Sequence, residues 1–165
     1  MKTHHETNSR IPDPPSGFRA IPWRLPIWLY YLRLGWLLGR RFLLLTHTGR
    51  ISGKRRHAVL EVIKVDETNN VHYVASGFGR KSNWYRNIKK TPLVTIQSGG
   101  KKILAKAVIL PTEEGLRILH EYQEKYPNAI KNLARIIGYQ MGETEEEIQD
   151  FLQQIPIIAF EPMTM

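Results

Sequence analysis

Two short stretches of this sequence hold side chains that could bind or act on a ligand, and both follow apolar runs. The first is LLLTHTGRISGKRR, residues 43–56. Its apolar start has strand character and delivers the chain into a loop carrying Thr46, Thr48, Gly49, Arg50, Ser52, Gly53, Lys54, Arg55 and Arg56. Glycine lets a backbone approach a ligand closely and present its N–H groups. The forked donors of Arg50 and Arg56 match the oxygens of phosphate or carboxylate, Lys54 adds a further cation, and the Ser52 hydroxyl adds a hydrogen bond. The stretch reads as an anion cradle between two strands. It is not a Walker A loop, because the GxxxxGKS/T spacing is absent and a strand follows in place of a helix.

The second stretch is VASGFGRKSNWYRNI, residues 74–88. A strand ends in small residues, Ala75, Ser76 and Gly77, against which a flat ring could lie. Arg80 and Lys81 follow, then the aromatic pair Trp84 and Tyr85 at the start of a helix. Trp84 could wall the ring. Asn87 shares roughly one helix face with Trp84 and could hydrogen-bond a phosphate or hydroxyl. Ser76 could hydrogen-bond the ring or relay a proton, although a serine at a strand end needs no such role. No nucleophilic triad or carboxylate pair stands out. His4 and His5 fall in the N-terminal arm, and His47, His57, His72 and His120 lack partners at metal-site spacing, so no metal is expected. His47 and His57 flank the basic loop and read as packed or surface histidines.

The elements that must position these residues follow from pattern. Strands are expected over 41–48, 56–65 and 71–76, with a hairpin turn at Asp66–Asn70. A short helix runs over 83–90 and stops before Pro92. Strands follow over 93–97 and 102–110, joined by the Ser98–Lys101 turn, with Ile103, Ala105, Ala107 and Ile109 on one face. Thr112 is placed to cap a helix reaching about Tyr126, and Asn128 a second reaching about Ile137. An acidic helix over 143–154 and a last strand over 155–160 complete the chain. Six short strands with helices attached suggest an α+β fold built on a small, mostly antiparallel barrel.

With 165 residues the chain has room for one domain, expected over 21–165 behind a polar, disordered arm at 1–20. Cysteine is absent, which excludes a disulfide framework and fits a reducing cytoplasm. All 24 Lys and Arg lie in residues 1–138, whereas 139–165 hold six acids and no Lys or Arg. A basic body points to an anionic partner: a phosphorylated cofactor, a nucleic acid or a lipid surface. Between Ile21 and Leu45 the chain is rich in Trp, Leu and Tyr, but Arg24, Arg33, Arg40 and Arg41 interrupt it. It therefore lacks the run of about 18 uncharged residues that a membrane span needs. Residues 22–39 instead suit a helix that covers a barrel end or lies on the inner face of a membrane.

The ordered set LLLTHTGRISGKRR, VASGFGRKSNWYRNI, TPLVTIQ after Pro92, and a closing IPIIAFEP resembles the deazaflavin-dependent nitroreductases, also called F-420H2-dependent quinone reductases, over about residues 40–162. The resemblance implies a split β-barrel of the flavin-reductase type. It implies coenzyme F-420, whose tail carries a phosphate and glutamates, and hydride transfer to a quinone, a nitroaromatic or a similar small acceptor. Arg50, Ser52, Gly53 and Arg56 fall on the family's TGRxSGxxR phosphate loop, Ala75 and Ser76 beside the deazaflavin ring, and Trp84, Tyr85 and Asn87 on its WYxN helix start. Ile51 and Gly77 stand where members often have lysine, and Lys54, Arg55, Arg80 and Lys81 are near enough in sequence to replace those cations. A helix also runs over 126–139, where shorter members place tyrosines that face the substrate. Two alternatives remain at this stage. One is a barrel of the same kind holding flavin mononucleotide; the other is a non-catalytic binder of lipid or, less in keeping with the resemblance, nucleic acid.

Overall fold

A computed structural model describes residues 11–14, 40–140 and 144–163. Six strands form a closed antiparallel barrel: β1 (Phe42–Thr48), β2 (Arg55–Asp66), β3 (Val71–Ala75), β4 (Leu93–Ser98), β5 (Lys101–Ile109) and β6 (Ile157–Pro162), ordered β1-β2-β3-β6-β5-β4 around the ring. This is the architecture the pattern of short strands leads one to expect. In β1, Leu43, Leu45 and His47 are buried while the residues between them are only half covered, the period-two signature of a strand with one face in a core. The expected face of β5 also forms, with Ala105 and Ala107 buried and Ile103 and Ile109 packed against the same core.

The turns follow their local chemistry. The Asp66 carboxylate accepts the backbone N–H groups of Thr68 and Asn69 at 3.0 and 3.2 Å, and Asn70 takes φ 53°. Gly99 and Gly100 both have positive φ (53° and 83°) between β4 and β5, the geometry that matches a two-residue hairpin to strand twist.

Among the described residues three helices pack outside the barrel: α2 (Thr112–Lys125), α3 (Ala129–Ile137) and α4 (Glu145–Gln153). Ile118, Leu119, Ile130, Phe151 and Leu152 meet Ile157, with Ile63, Tyr73 and Ala75 packed alongside, in a second apolar core. Gly115 permits the approach of α2, because a Cβ there would lie 3.2 Å from Ile157 Cγ1. The helix starts differ from the expected caps. Thr112 is the first helical residue, Pro111 takes the cap position, and no side chain caps α2. Asn128 does occupy the cap position of α3 but without a side-chain hydrogen bond. The acidic helix begins at Glu145 and not Glu143, because Thr144 and Glu147 form a reciprocal capping box.

The topology decides where ligand chemistry can gather. The C-terminal ends of β1, β3 and β5 and the starts of β2, β4 and β6 share one end of the barrel. Helix α1 (Asn83–Lys90) links β3 to β4, which stand opposite one another in the ring, so it must cross this end. Tyr85, Asn87 and Ile88 are buried by that crossing. The loop between β1 and β2 rises at the same end. Residues 11–14 also reach it: Ile11 is buried, and its N–H donates to Gln154 Oε1 at 3.2 Å. The expected helix over 22–39 and most of the N-terminal arm lie outside the described residues. Among the described residues no helix is long and apolar enough to cross a membrane.

Candidate functional site

Both motif stretches converge on α1. The β1–β2 loop closes on itself, with the Gly49 N–H donating to the Lys54 carbonyl and the Gly53 N–H to the Gly49 carbonyl, both at 2.8 Å. Gly53 needs its glycine for a φ of 65°. Asn87 then fastens the loop to the helix. Its Oδ1 accepts the backbone N–H of Arg50 at 3.0 Å and Arg50 Nη1 at 3.1 Å. Asn83 Oδ1 accepts Arg50 Nη1 at 3.2 Å, and Lys90 Nζ donates to the Arg50 carbonyl at 2.8 Å. Arg50 is thus held on α1 at four points. Below it, the Asn87 amide lies 3.1 Å from Nδ1 of His47 in the barrel mouth.

The second stretch secures the other end of α1. Ser76, fully buried, donates its hydroxyl to the Gly79 carbonyl at 2.7 Å and lies 2.9 Å from the hydroxyl of Ser82, the residue before the helix. Trp84 is half buried against the barrel core and sits edge-on to Tyr85, with ring centres 6.4 Å apart. Ala75 packs toward the second core, and a Cβ on Gly77 would lie 2.9 Å from Leu133 Cδ1 of α3. The space that a longer residue at 77 would enter is therefore held by Leu133. A nearby cavity of about 40 Å³, lined in part by Arg80, Tyr85 and Pro156, has room for water and not for a ring system.

The electrostatics of this end are one-sided. Residues 42–60 and 71–112 contain no Asp or Glu. They carry Arg50, Lys54, Arg55, Arg56, Arg80, Lys81, Arg86, Lys89 and Lys90 onto the loop, α1 and the turn before it. Among the described residues the ion pairs are Arg40–Glu67, Arg41–Glu61, Lys64–Glu121 and Lys81–Asp13, so only Lys81 of this set meets a carboxylate. Lys54, Arg55 and Arg56 are exposed, and Ile51 projects at the loop tip, 90% exposed. Arg56 is the cross-strand partner of His47, so it rises from the same inward row at the barrel mouth. Burial, and then the neighbouring His57 and Arg56, lower the pKa of His47 to about 4. His57 is also lowered, by its burial and then by Arg55. The His47 ring is therefore neutral at neutral pH.

The structure thus brings Arg50, Asn87 and Arg56 together. It sets Ser52, Gly53 and Lys54 at the exposed rim, and it keeps Ala75, Ser76 and Gly77 on the far side of α1, under α3. Asn83, Lys90 and His47 were not among the expected site residues. The first two had a visible signal, since they stand at i−4 and i+3 from Asn87 on one helix face. His47 had none, because only the tertiary fold sets it under Asn87.

The chain resembles known proteins in sequence and in fold. The family described as F-420H(2)-dependent quinone reductase matches residues 33–141. A Mycobacterium tuberculosis protein that carries the name of a candidate F-420H(2)-dependent quinone reductase is 37% identical over 78 residues, which is 46% of this chain and 64% of that one. The match takes in less than two thirds of that relative's length. The solved structure of an F-420-H2 dependent reductase superposes with a TM-score of 0.52 at 24% identity, covering 74% of this chain and 96% of the other. A candidate pyridoxamine 5′-phosphate oxidase from Listeria innocua superposes with a TM-score of 0.50 at 13% identity, covering 82% of this chain and 94% of the other. Both structures share the split-barrel fold with this chain.

Proposed function

The chain belongs to the F-420H(2)-dependent quinone reductase family, and we propose that it is a reductase that holds coenzyme F-420 at the α1 end of the barrel and serves a small quinone, nitroaromatic or similar acceptor. The observation that carries this reading is the β1–β2 loop. It is anchored to α1 through Arg50 and Asn87, and its outer cations have no carboxylate among the described residues. Such a loop suits a phosphate-and-glutamate tail. The rim also leaves room for a ligand, since among the described residues nothing lies within 4 Å of a Cβ built on Gly53.

In this reading Arg50, Ser52, Gly53, Lys54 and Arg56 hold the tail. Arg50 presents its fork from a loop pinned against α1 by Asn83, Asn87 and Lys90, so little of its side-chain freedom remains to be lost on binding. Of the residues expected beside the ring, Trp84 is only half buried and is the one that walls it; Ser76 and Tyr85 are buried and Gly77 lies against Leu133, so they support the site from behind. Asn87 acts from beneath by orienting Arg50. The bound reduced deazaflavin supplies a hydride. The buried Ser76 hydroxyl is engaged with Gly79, so we assign it to holding the turn before α1, and solvent supplies the proton that completes reduction.

The test replaces Arg50 and Arg56 together by Ala. A fluorescence titration should then show F-420 binding weakened by about 2–5 kcal/mol, the scale for removing charge-assisted bonds. Unchanged affinity would overturn the site. Stopped-flow oxidation of F-420H2 by menadione tests the reaction, and turnover only with reduced flavin mononucleotide would move the chain to that cofactor.

A further inference from the structure

We propose that His47 is a positioning residue for the anion-binding loop: from the barrel interior it orients the Asn87 amide, which in turn holds Arg50 toward the ligand. This inference rests on the proposed function for its ligand, though not for its geometry.

The argument starts from the two ends of one amide. Asn87 is 4% exposed, so each of its polar atoms needs a protein partner. Two donors from Arg50, the backbone N–H at 3.0 Å and Nη1 at 3.1 Å, converge on one end. That end must be the oxygen, and the NH2 group therefore faces His47 Nδ1 at 3.1 Å. His47, 5% exposed, can only be the acceptor there. Its ring proton then sits on Nε2, and the ring is neutral. Without that acceptor the buried NH2 would be unpaired. Rotating the amide to satisfy it would turn donors toward both Arg50 donors, and the loop would lose its hold on α1.

The surroundings keep the ring in this state. Facing His47 are Arg56 and His57 from β2, Asn87 from α1 and, beyond the amide, Arg50 from the loop. His57 is itself turned to Thr46, whose hydroxyl lies 3.1 Å from His57 Nδ1. No acid occurs in residues 42–60 or 71–112, which supply all these groups, so no carboxylate of these segments stabilises a protonated ring.

The experiment compares His47→Asn, whose Oδ1 can stand in for Nδ1, with His47→Leu, which keeps the volume and removes the acceptor. Two readouts are taken: F-420 affinity by fluorescence titration, and hydrogen exchange of the Arg50 backbone amide without cofactor. His47→Leu should weaken F-420 by about tenfold and speed Arg50 amide exchange by a similar factor, as for one lost buried hydrogen bond. His47→Asn should stay within about threefold of the unmodified protein on both. In an Arg50→Ala background, His47→Leu should cost no further affinity. Equal effects of the two substitutions, or an Arg50 amide that His47→Leu leaves protected, would overturn the proposal. If His47→Leu does not fold, acidification of the unmodified protein through the His47 titration should release the Arg50 amide while the core amides of β1 stay protected; retained protection there would overturn it. If no version of the protein binds F-420, the proposed function fails, and the exchange measurements still decide the role of His47.

Discussion

Acidification should destabilise this protein through His47 by an amount that can be worked out in advance. The ring is buried and holds its pKa at about 4 in the fold, against an ordinary value near 6.5. In the unfolded chain it binds a proton at higher pH than in the native one, so stability must fall as pH drops. The loss begins near pH 6.5, grows through the window between the two values and is complete below about 4. At pH 5 the unfolded ring is almost wholly protonated and the native ring largely neutral, so about 2 kcal/mol of stability relative to pH 7 should be gone through this residue alone. Urea unfolding followed by tryptophan fluorescence, at pH 7 and pH 5, measures this in the unmodified protein and in His47→Asn, which cannot titrate. His57 and His72, both also lowered chiefly by burial, are present in each protein and cancel in the comparison. The unmodified protein should lose about 2 kcal/mol more than the variant, close to 1 M in urea midpoint for a protein of this size. Equal losses would refute the account of His47 as a ring held neutral under Asn87.

Two further outcomes follow from backbone geometry. Gly79→Ala should cost about 1–3 kcal/mol and lower Tm by several degrees, because Gly79 has φ 58° and a Cβ there would sit 2.9 Å from the Gln154 carbonyl. Thr144→Ala should cost about 1 kcal/mol by removing the capping box of α4, seen as a lower Tm and faster amide exchange in the first turn of that helix.

The strand and helix order was legible in the sequence because each element declares itself locally. The alternation in β5, the Asp66–Asn70 turn and the break at Pro92 need no distant partner to be read. The density of cations between Gly49 and Arg56 also marked the basic loop proposed to hold the anionic tail, since charge and glycine spacing are properties of a short stretch. Cap positions were less legible. Thr112 fits the cap pattern for α2, yet Pro111 holds the position, while Thr144 and Glu147 cap α4 two residues beyond the expected start. What only the tertiary structure decided is the wiring of the site. Asn87, expected to meet the ligand, instead spends its oxygen on Arg50, a residue 37 positions away in the sequence. Ser76 turns inward to Gly79, and Gly77 lies against Leu133 of α3, a helix legible in the sequence although its contact with Gly77 was not. The physical reason is closure of the barrel. Strand propensity is local, but only the ring order β1-β2-β3-β6-β5-β4 puts the ends of β1 and β3 together and forces α1 across them. That crossing places His47, Asn87 and Arg50 in one column, an arrangement that no spacing along the chain encodes.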